Sequence, residues 1–122
     1  MRGLHLTADL YQCRCEPQWL SDAQALAAWT KQAVDAVGLE VLQHLVQPGG
    51  PDGGASIALL LPQSHICVHT WPAQRGVTLD VYLASSAGDP SAKARGLMYA
   101  LVQRFAPEWT EQRSLDRGAE EA

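Results

Sequence analysis

Two helical segments with a one-sided apolar stripe narrow the possible folds of this sequence. The first is predicted to begin at Ser21, which forms a capping-box pattern with Gln24. The second is predicted to start at Asp89-Pro90 and to end before Pro107. The stripes consist of Leu26, Trp29, Ala33, Val34 and Val37 in the first helix and of Ala94, Leu97, Met98, Leu101, Val102 and Phe105 in the second. A helix that is apolar on one side has to lie on a flat surface, so the sequence predicts a sheet beneath both helices.

The remaining segments can form that sheet, because they are short runs rich in Val, Ile, Leu and Thr between turn residues. The predicted strands are 3–11, 39–46, 56–61, 65–70 and 77–83. The order β-α-β-β-β-β-α predicts an α+β fold of two layers, with the helices on one face of an antiparallel sheet. The other sheet face stays partly apolar, which favours a dimer that forms an αββα sandwich. The segment after Arg113, which ends in DRGAEEA, is expected to be frayed.

Length and charge limit the functional classes. The 122 residues suit a single domain over 1–122, and a net charge of −4 offers no basic excess for binding nucleic acid. No apolar run could span a bilayer, and the N-terminus lacks the apolar core of a signal peptide, so we expect a cytoplasmic protein without a membrane partner. Cys13, Cys15 and Cys67 fit that compartment, because an odd number of cysteines gives no disulfide framework.

The stretch from Ser56 to Pro72, SIALLLPQSHICVHTWP, is the part of the sequence that suggests chemistry. Ser64 follows Pro62-Gln63 at a junction between two predicted strands. A serine in a strained turn can attack the carbonyl of the preceding residue, and the resulting ester can eliminate to dehydroalanine and then become a ketone. This reaction needs a base for the Cα proton and donors for the oxyanion. A hairpin is expected to bring His69 and Ser56 close to Ser64.

The same stretch also allows other interpretations. His65, Cys67 and His69 alternate along one predicted strand, which raises the question of a metal site. The two histidines would be about 13 Å apart, too far to bind one ion, and no second cluster completes a site, so no metal is predicted. On the residues alone, Ser64 could be a turn serine, His69 a hydrogen-bonded strand histidine and Ser56 a serine at a strand start.

The string QSHICVHTWP resembles the ESHLTIHTWPE signature of the small, bacterial-type S-adenosylmethionine decarboxylases, which are pyruvoyl-dependent. The opening GLHLTADLYQC is similar to that family, and so are the position of Ser56 eight residues before Ser64 and the string DVY at 80–82. The resemblance runs from about Gly3 to about Phe105.

The resemblance implies a proenzyme that cuts itself between Gln63 and Ser64. It implies a β chain of residues 1–63 and an α chain of residues 64–122 that begins with a pyruvoyl group formed from Ser64. Ser56 and His69 are implied as self-processing residues. The ketone would form a Schiff base with the α-amine of an amino-acid-type substrate and promote loss of its carboxylate, as part of spermidine and other polyamine biosynthesis. A homodimer of processed αβ units is implied as well.

The chain departs from the family's pattern at four positions. Gln63 stands where the family has Glu, and the cysteine that returns a proton to the product carbon aligns with Ala84. The aromatic residue that stacks on adenine aligns near Gly50, and the Glu after Trp-Pro is Ala73. The last three changes spare the self-processing residues and remove groups tied to the substrate and to proton return.

These departures leave two alternatives to an S-adenosylmethionine decarboxylase, which remains the favoured interpretation. One is a pyruvoyl-dependent ornithine or arginine decarboxylase, which would need no platform for adenine. The other is an unprocessed homologue that regulates a partner decarboxylase. The candidate proton donors are Cys67, Ser85 and Ser86.

Overall fold

In the computed structural model, which describes residues 1–86 and 88–119, six strands form one antiparallel sheet with the spatial order β2-β3-β4-β5-β1-β6. The strands are β1 (Arg2–Cys13), β2 (Gln43–Gln47), β3 (Ser56–Leu61), β4 (Ser64–Trp71), β5 (Gly76–Ala84) and β6 (Pro107–Gly118). The helices are α1 (Gln18–Ser21), α2 (Ala23–Ala36) and α3 (Ser91–Phe105), and short 3-10 turns cover Pro51–Gly53 and Pro72–Gln74.

The apolar side of each long helix packs on the same face of the sheet, which confirms the predicted α+β class and the position of the helices. Strand residues alternate between buried and more exposed, so every second side chain enters this core. The buried strand residues include Leu4, Leu6, Ala8, Leu10, Ile57, Leu59, Leu61, Ile66, Val68, Val77, Leu79, Val81 and Leu83. The helices contribute Leu26, Val34, Leu97, Met98, Leu101 and Phe105.

The opposite face of the sheet, called here the uncovered face, carries no helix among the described residues. By alternation and register it presents His5, Leu45, Leu60, His65, Cys67, His69, Asp80, Tyr82 and Leu115. Several of its apolar side chains remain exposed, including Leu45 at 75%, Leu115 at 57% and Leu60 at 50%. The second face is therefore partly apolar, as predicted. None of the helices in the described ranges is both long enough and apolar enough to cross a membrane.

The start of α2 differs from the prediction by one residue. The Ala25 N–H donates to Asp22 Oδ1 at 3.0 Å, so Asp22 caps the helix. The capping box predicted at Ser21 is wrong, because Ser21 closes α1 and its hydroxyl donates to the Pro17 carbonyl at 3.1 Å. Serine and aspartate both favour the cap position, so the sequence pattern alone could not separate two adjacent candidates.

Two strand predictions are also corrected. The strand predicted from Leu39 begins only at Gln43, because Leu39 and Val41 pack against the edge of the core before the chain joins the sheet. The end of the chain is not frayed over 114–118, because these residues belong to β6 and pair with β1, with Leu115 opposite His5. Residues 120–122 of the predicted tail lie outside the described residues.

Replacing Phe105 with alanine is expected to lower the free energy of unfolding by about 3–5 kcal/mol, because this ring is completely buried between α3 and the sheet. Urea unfolding followed by circular dichroism measures the change. Tyr99→Ala on the same helix is the matched control, because Tyr99 is 67% exposed and its loss is expected to cost less than about 0.5 kcal/mol. Equal losses for the two variants would contradict the placement of α3.

Candidate active site

The Gln63–Ser64 peptide bond lies in the tight turn between β3 and β4. Leu61 pairs with Ser64 across the hairpin, which leaves Pro62 and Gln63 as the two loop residues. Gln63 has a φ of 53°, in the left-handed region that residues with a Cβ rarely adopt. This conformation costs about 1–2 kcal/mol. The backbone is thus strained directly before the serine hydroxyl.

The Ser64 hydroxyl is held in place by the neighbouring strand. Ser64 is 8% exposed, and its Oγ accepts a hydrogen bond from the Ala84 N–H at 2.9 Å. Antiparallel pairing of β4 with β5 brings the end of β5 to this position. Because the hydroxyl is the acceptor in this bond, its own proton is not used by it. The arrangement fixes the oxygen that would attack.

Ser56 and His69 form a second polar pair. They are opposite each other on β3 and β4, and Ser56 Oγ lies 2.7 Å from His69 Nδ1. The start of β3 is anchored by Thr70, whose Oγ1 accepts from the Ala55 N–H at 2.9 Å and donates to the Leu20 carbonyl at 2.7 Å. Thr70, for which the sequence suggested no role, therefore positions Ser56 beside His69.

The structure does not bring this pair to Ser64 within one protomer, so the expected juxtaposition by the hairpin is wrong. Ser64 and His69 are five residues apart on β4, a distance of about 16 Å. An odd spacing also places their side chains on opposite faces. Ser64 is buried on the helix side, whereas His69 is exposed on the uncovered face. Ser56 lies with His69 because the register pairs them at the far end of the hairpin.

A cavity of about 920 Å³, the large cavity, opens beside Gln63 at the end of β5. Its size falls within the range of small-molecule sites. Its polar side chains include both carboxylates and guanidinium groups, so it can bind a molecule that carries charges of both signs. These side chains are Arg2, Gln63, Tyr82, Ser85, Ser86, Asp89, Ser91, Asp116 and Arg117. Two of the candidate proton donors, Ser85 and Ser86, thus lie at this cavity.

The Asp89 carboxylate, two residues before the start of α3, is ionised at neutral pH. The Ser91 hydroxyl and the Ser91 N–H both donate to Asp89 Oδ1, at 2.7 and 2.9 Å. These hydrogen bonds, the one from the hydroxyl first, lower the pKa of the Asp89 carboxyl. Asp89 therefore presents a negative charge to the large cavity.

A second cavity, of about 280 Å³, lies on the uncovered face next to Ser56 and His69. Cys67 lines this cavity and does not line the one beside Gln63. Burial, and then the negative charge of Asp80, raise the pKa of the Cys67 thiol. The third candidate donor is consequently protonated at neutral pH but lies apart from the large cavity.

The described part of the chain shows all three cysteines as free thiols. Over the same residues, no group of three or more His, Cys, Asp or Glu side chains is arranged to hold a metal ion.

The comparison with protein families agrees with the motif and the fold. The family described as S-adenosylmethionine decarboxylase matches residues 4–118 of the chain. The chain belongs to this family. Its relatives include proteins named S-adenosylmethionine decarboxylase proenzyme from Pyrobaculum neutrophilum and from Picrophilus torridus. The first is 32% identical over 94% of this chain and 91% of the relative. The second is 30% identical over 97% of this chain and 85% of the relative.

The crystal structure of the adenosylmethionine decarboxylase from Aquifex aeolicus has the same fold. It superposes on this family member with a TM-score of 0.84 and 30% sequence identity, over 98% of this chain and 92% of the Aquifex chain. Such coverage means that the sheet, the helices and the hairpin that carries Ser64 all have counterparts in a solved decarboxylase.

Proposed function

We propose that the chain is the precursor of a pyruvoyl-dependent S-adenosylmethionine decarboxylase, which cuts itself between Gln63 and Ser64. The observation that carries this proposal is the strained backbone of Gln63 directly before a serine hydroxyl held by the Ala84 N–H. Membership of a family whose relatives are named proenzymes supports it. The reaction belongs to spermidine biosynthesis in the cytoplasm.

Self-processing uses the Ser64 hydroxyl as the nucleophile. Its oxygen attacks the Gln63 carbonyl carbon through a five-membered ring, the C–N bond breaks, and an ester joins Gln63 to Ser64 Oγ. A base then removes the Ser64 Cα proton, and the C–O bond breaks to release the Gln63 carboxylate as the end of residues 1–63. Water hydrolyses the resulting dehydroalanine, with loss of ammonia, to the ketone. Breaking the first bond also relieves the left-handed conformation of Gln63.

The surroundings of position 64 fit a pyruvoyl group. The Ala84 N–H, which now donates to Ser64 Oγ, is a ready donor for an oxygen at this position. The ketone supplies an electron-withdrawing carbonyl that condenses with an amino acid's α-amine and makes loss of the carboxylate easier. The large cavity beside it is big enough for the substrate, and Asp89 and Asp116 can bind the sulfonium cation of S-adenosylmethionine.

We propose that the uncovered face is the interface of a homodimer. Leu45, Leu60 and Leu115 are half or more exposed on this face in one protomer, and a partner sheet would bury them. The His5 Nε2 atom on the same face is buried and makes no hydrogen bond to a described residue, although Asp80 Oδ1 lies 3.4 Å away. A buried polar atom without a partner is expected to find one in the complete assembly.

A two-fold axis through the proposed homodimer would bring Ser56 and His69 of one protomer towards Ser64 of the other. Suppose that the axis lies in the plane between the two packed sheets, runs perpendicular to β4 and passes over the point midway between residues 64 and 69. Each β4 then runs antiparallel to its counterpart. The backbone of Ser64 in one protomer then lies across from the partner's His69, while the Ser64 side chain itself lies on the helix side. The large cavity is lined by both Gln63 and Tyr82. Because Tyr82 belongs to the uncovered face, the cavity can be reached by a partner that packs on this face. We therefore propose that each active site combines residues of both protomers.

The substrate is tested by measuring carbon dioxide released from carboxyl-labelled S-adenosylmethionine, ornithine and arginine. The processed protein is expected to have a kcat/KM at least about 100-fold higher for S-adenosylmethionine than for either amino acid. A higher value for ornithine or arginine would contradict the proposed substrate. An uncleaved chain that releases no carbon dioxide from any of the three would identify the unprocessed homologue instead.

A further inference from the structure

We propose that Tyr82 donates the proton that replaces carbon dioxide on the substrate. The family's pattern has a cysteine for this role, and this chain has Ala84 at that position. This inference rests on the proposed function. It starts from the position of the phenol, which lines the large cavity together with Gln63 and Ala84.

Tyr82 lies on the strand next to the reacting serine, and the large cavity that it lines reaches Gln63, the residue directly before Ser64. Tyr82 is opposite His65, the residue after Ser64, in the pairing of β4 with β5. Tyr82 and Ala84 are two residues apart on β5, so their side chains lie on the same face. The Ala84 N–H in turn contacts Ser64 Oγ at 2.9 Å. A substrate joined at position 64 would therefore extend into the cavity that the phenol lines.

Gly3 and Arg117 determine where the phenol lies. A Cβ atom on Gly3 would be 2.6 Å from Tyr82 Oη and 2.7 Å from Cε1, so the ring rests directly on the Gly3 backbone. A side chain at this position would push the ring away. The Arg117 guanidinium carbon lies 5.8 Å from the centre of the ring. Its positive charge would stabilise the negative oxygen that remains after proton transfer.

The other polar side chains of the cavity are poorer proton donors. A phenol keeps its proton at neutral pH and releases it far more readily than an alkyl hydroxyl such as that of Ser85 or Ser86. Carboxylates have already lost theirs, and guanidinium groups do not release theirs in proteins. Among the side chains described at this cavity, Tyr82 combines position and acidity best.

The proposed step is a single proton transfer. When carbon dioxide leaves, its C–C bond breaks and the electron pair remains with the substrate's α-carbon. That carbon takes the proton of the Tyr82 hydroxyl, so a C–H bond forms and the O–H bond breaks. The electron pair of the O–H bond stays on the oxygen until water returns a proton. Without this donor, the proton can add to the carbon at position 64 instead. Hydrolysis then releases an aldehyde and leaves an alanine at position 64, which cannot react again.

The test compares Tyr82→Phe with the wild type and with Tyr99→Phe, which changes an exposed tyrosine of α3. Tyr82→Phe is expected to cleave normally and to bind a carbonyl reagent before substrate is added. Its carbon dioxide release is expected to fall about 100-fold. During turnover, Edman degradation of the α chain is expected to read increasing amounts of N-terminal alanine, whereas the wild type and Tyr99→Phe stay blocked. Gly3→Ala, which keeps the phenol but displaces it, is expected to accumulate alanine as well.

Several outcomes would overturn the role of Tyr82. One is a Tyr82→Phe protein that releases carbon dioxide at the wild-type rate and gains no N-terminal alanine. Another is a Tyr82→Phe protein that fails to cleave, which would assign the phenol to processing. Equal alanine in Tyr99→Phe would also overturn it. Failure of the proposed function looks different, because the wild type itself would then remain one chain with no carbonyl to trap.

Discussion

Replacing Ser64 with alanine is expected to leave the chain uncut and to abolish carbon dioxide release. Alanine removes the only oxygen that can reach the Gln63 carbonyl through a five-membered ring, and it also removes the leaving group whose elimination gives dehydroalanine and then the ketone. Denaturing electrophoresis measures the cleavage, with the wild type giving fragments of residues 1–63 and 64–122. Labelled S-adenosylmethionine measures the activity. Both losses are expected to be complete, because no other serine follows a strained turn in this hairpin.

The fold of this variant is not expected to change. Ser64→Ala removes one hydrogen bond, from the Ala84 N–H, and keeps the buried Cβ. Circular dichroism and the melting temperature verify that the variant is folded. Ser114→Ala, on the exposed edge strand β6, is the matched control and is expected to cleave and turn over like the wild type. A Ser64→Ala protein that still divides into two fragments would refute the proposed nucleophile.

Replacing His69 with alanine is expected to slow cleavage by about 100-fold or more, because the ester then lacks its base. Cleavage of the His69→Ala chain is expected to be restored by a partner chain that supplies His69. In a mixture with Ser64→Ala, each heterodimer would contain one complete site, made of Ser64 from the His69→Ala chain and His69 from the other. Random pairing of equal amounts would place about half of the His69→Ala chains in heterodimers, and these chains are expected to cleave.

This complementation is measured by co-expressing the two variants with tags of different size, so that the cleaved chain can be identified. His44→Ala, which changes an exposed histidine on β2, is the control and is expected to process alone. If the His69→Ala chain stays uncut in the mixture, the site is not shared between protomers. If His69→Ala cleaves at the wild-type rate by itself, His69 has no part in processing.

Most of the sheet and both long helices could be predicted from the sequence, because burial on one side leaves a clear apolar pattern. The bounds of Ser56–Leu61 agree with the prediction, since this strand is almost entirely apolar between turn residues. The edge strand Pro107–Gly118 was missed because it is largely exposed along its length and carries no apolar alternation. Its pairing depends on hydrogen bonds to β1, which composition does not reveal.

The candidate site could be predicted only in part. The motif identified Ser64, Ser56 and His69 as residues of interest, but a motif contains no strand register. Register decides that Ser56 lies beside His69 and that both are about 16 Å from Ser64 within one protomer. The sequence marks Tyr82 only as part of the string DVY and indicates no role for its phenol. Its relation to the cavity depends on Gly3, a residue on a strand that is distant in sequence.

Intact-mass spectrometry of freshly purified, active protein, with and without a carbonyl reagent, tests the self-cleavage most directly. The expected result is two polypeptides whose masses correspond to residues 1–63 and to residues 64–122 with a pyruvoyl group at position 64. The second polypeptide is expected to gain the mass of the reagent. A single intact polypeptide that releases carbon dioxide from S-adenosylmethionine and binds no reagent would contradict the account.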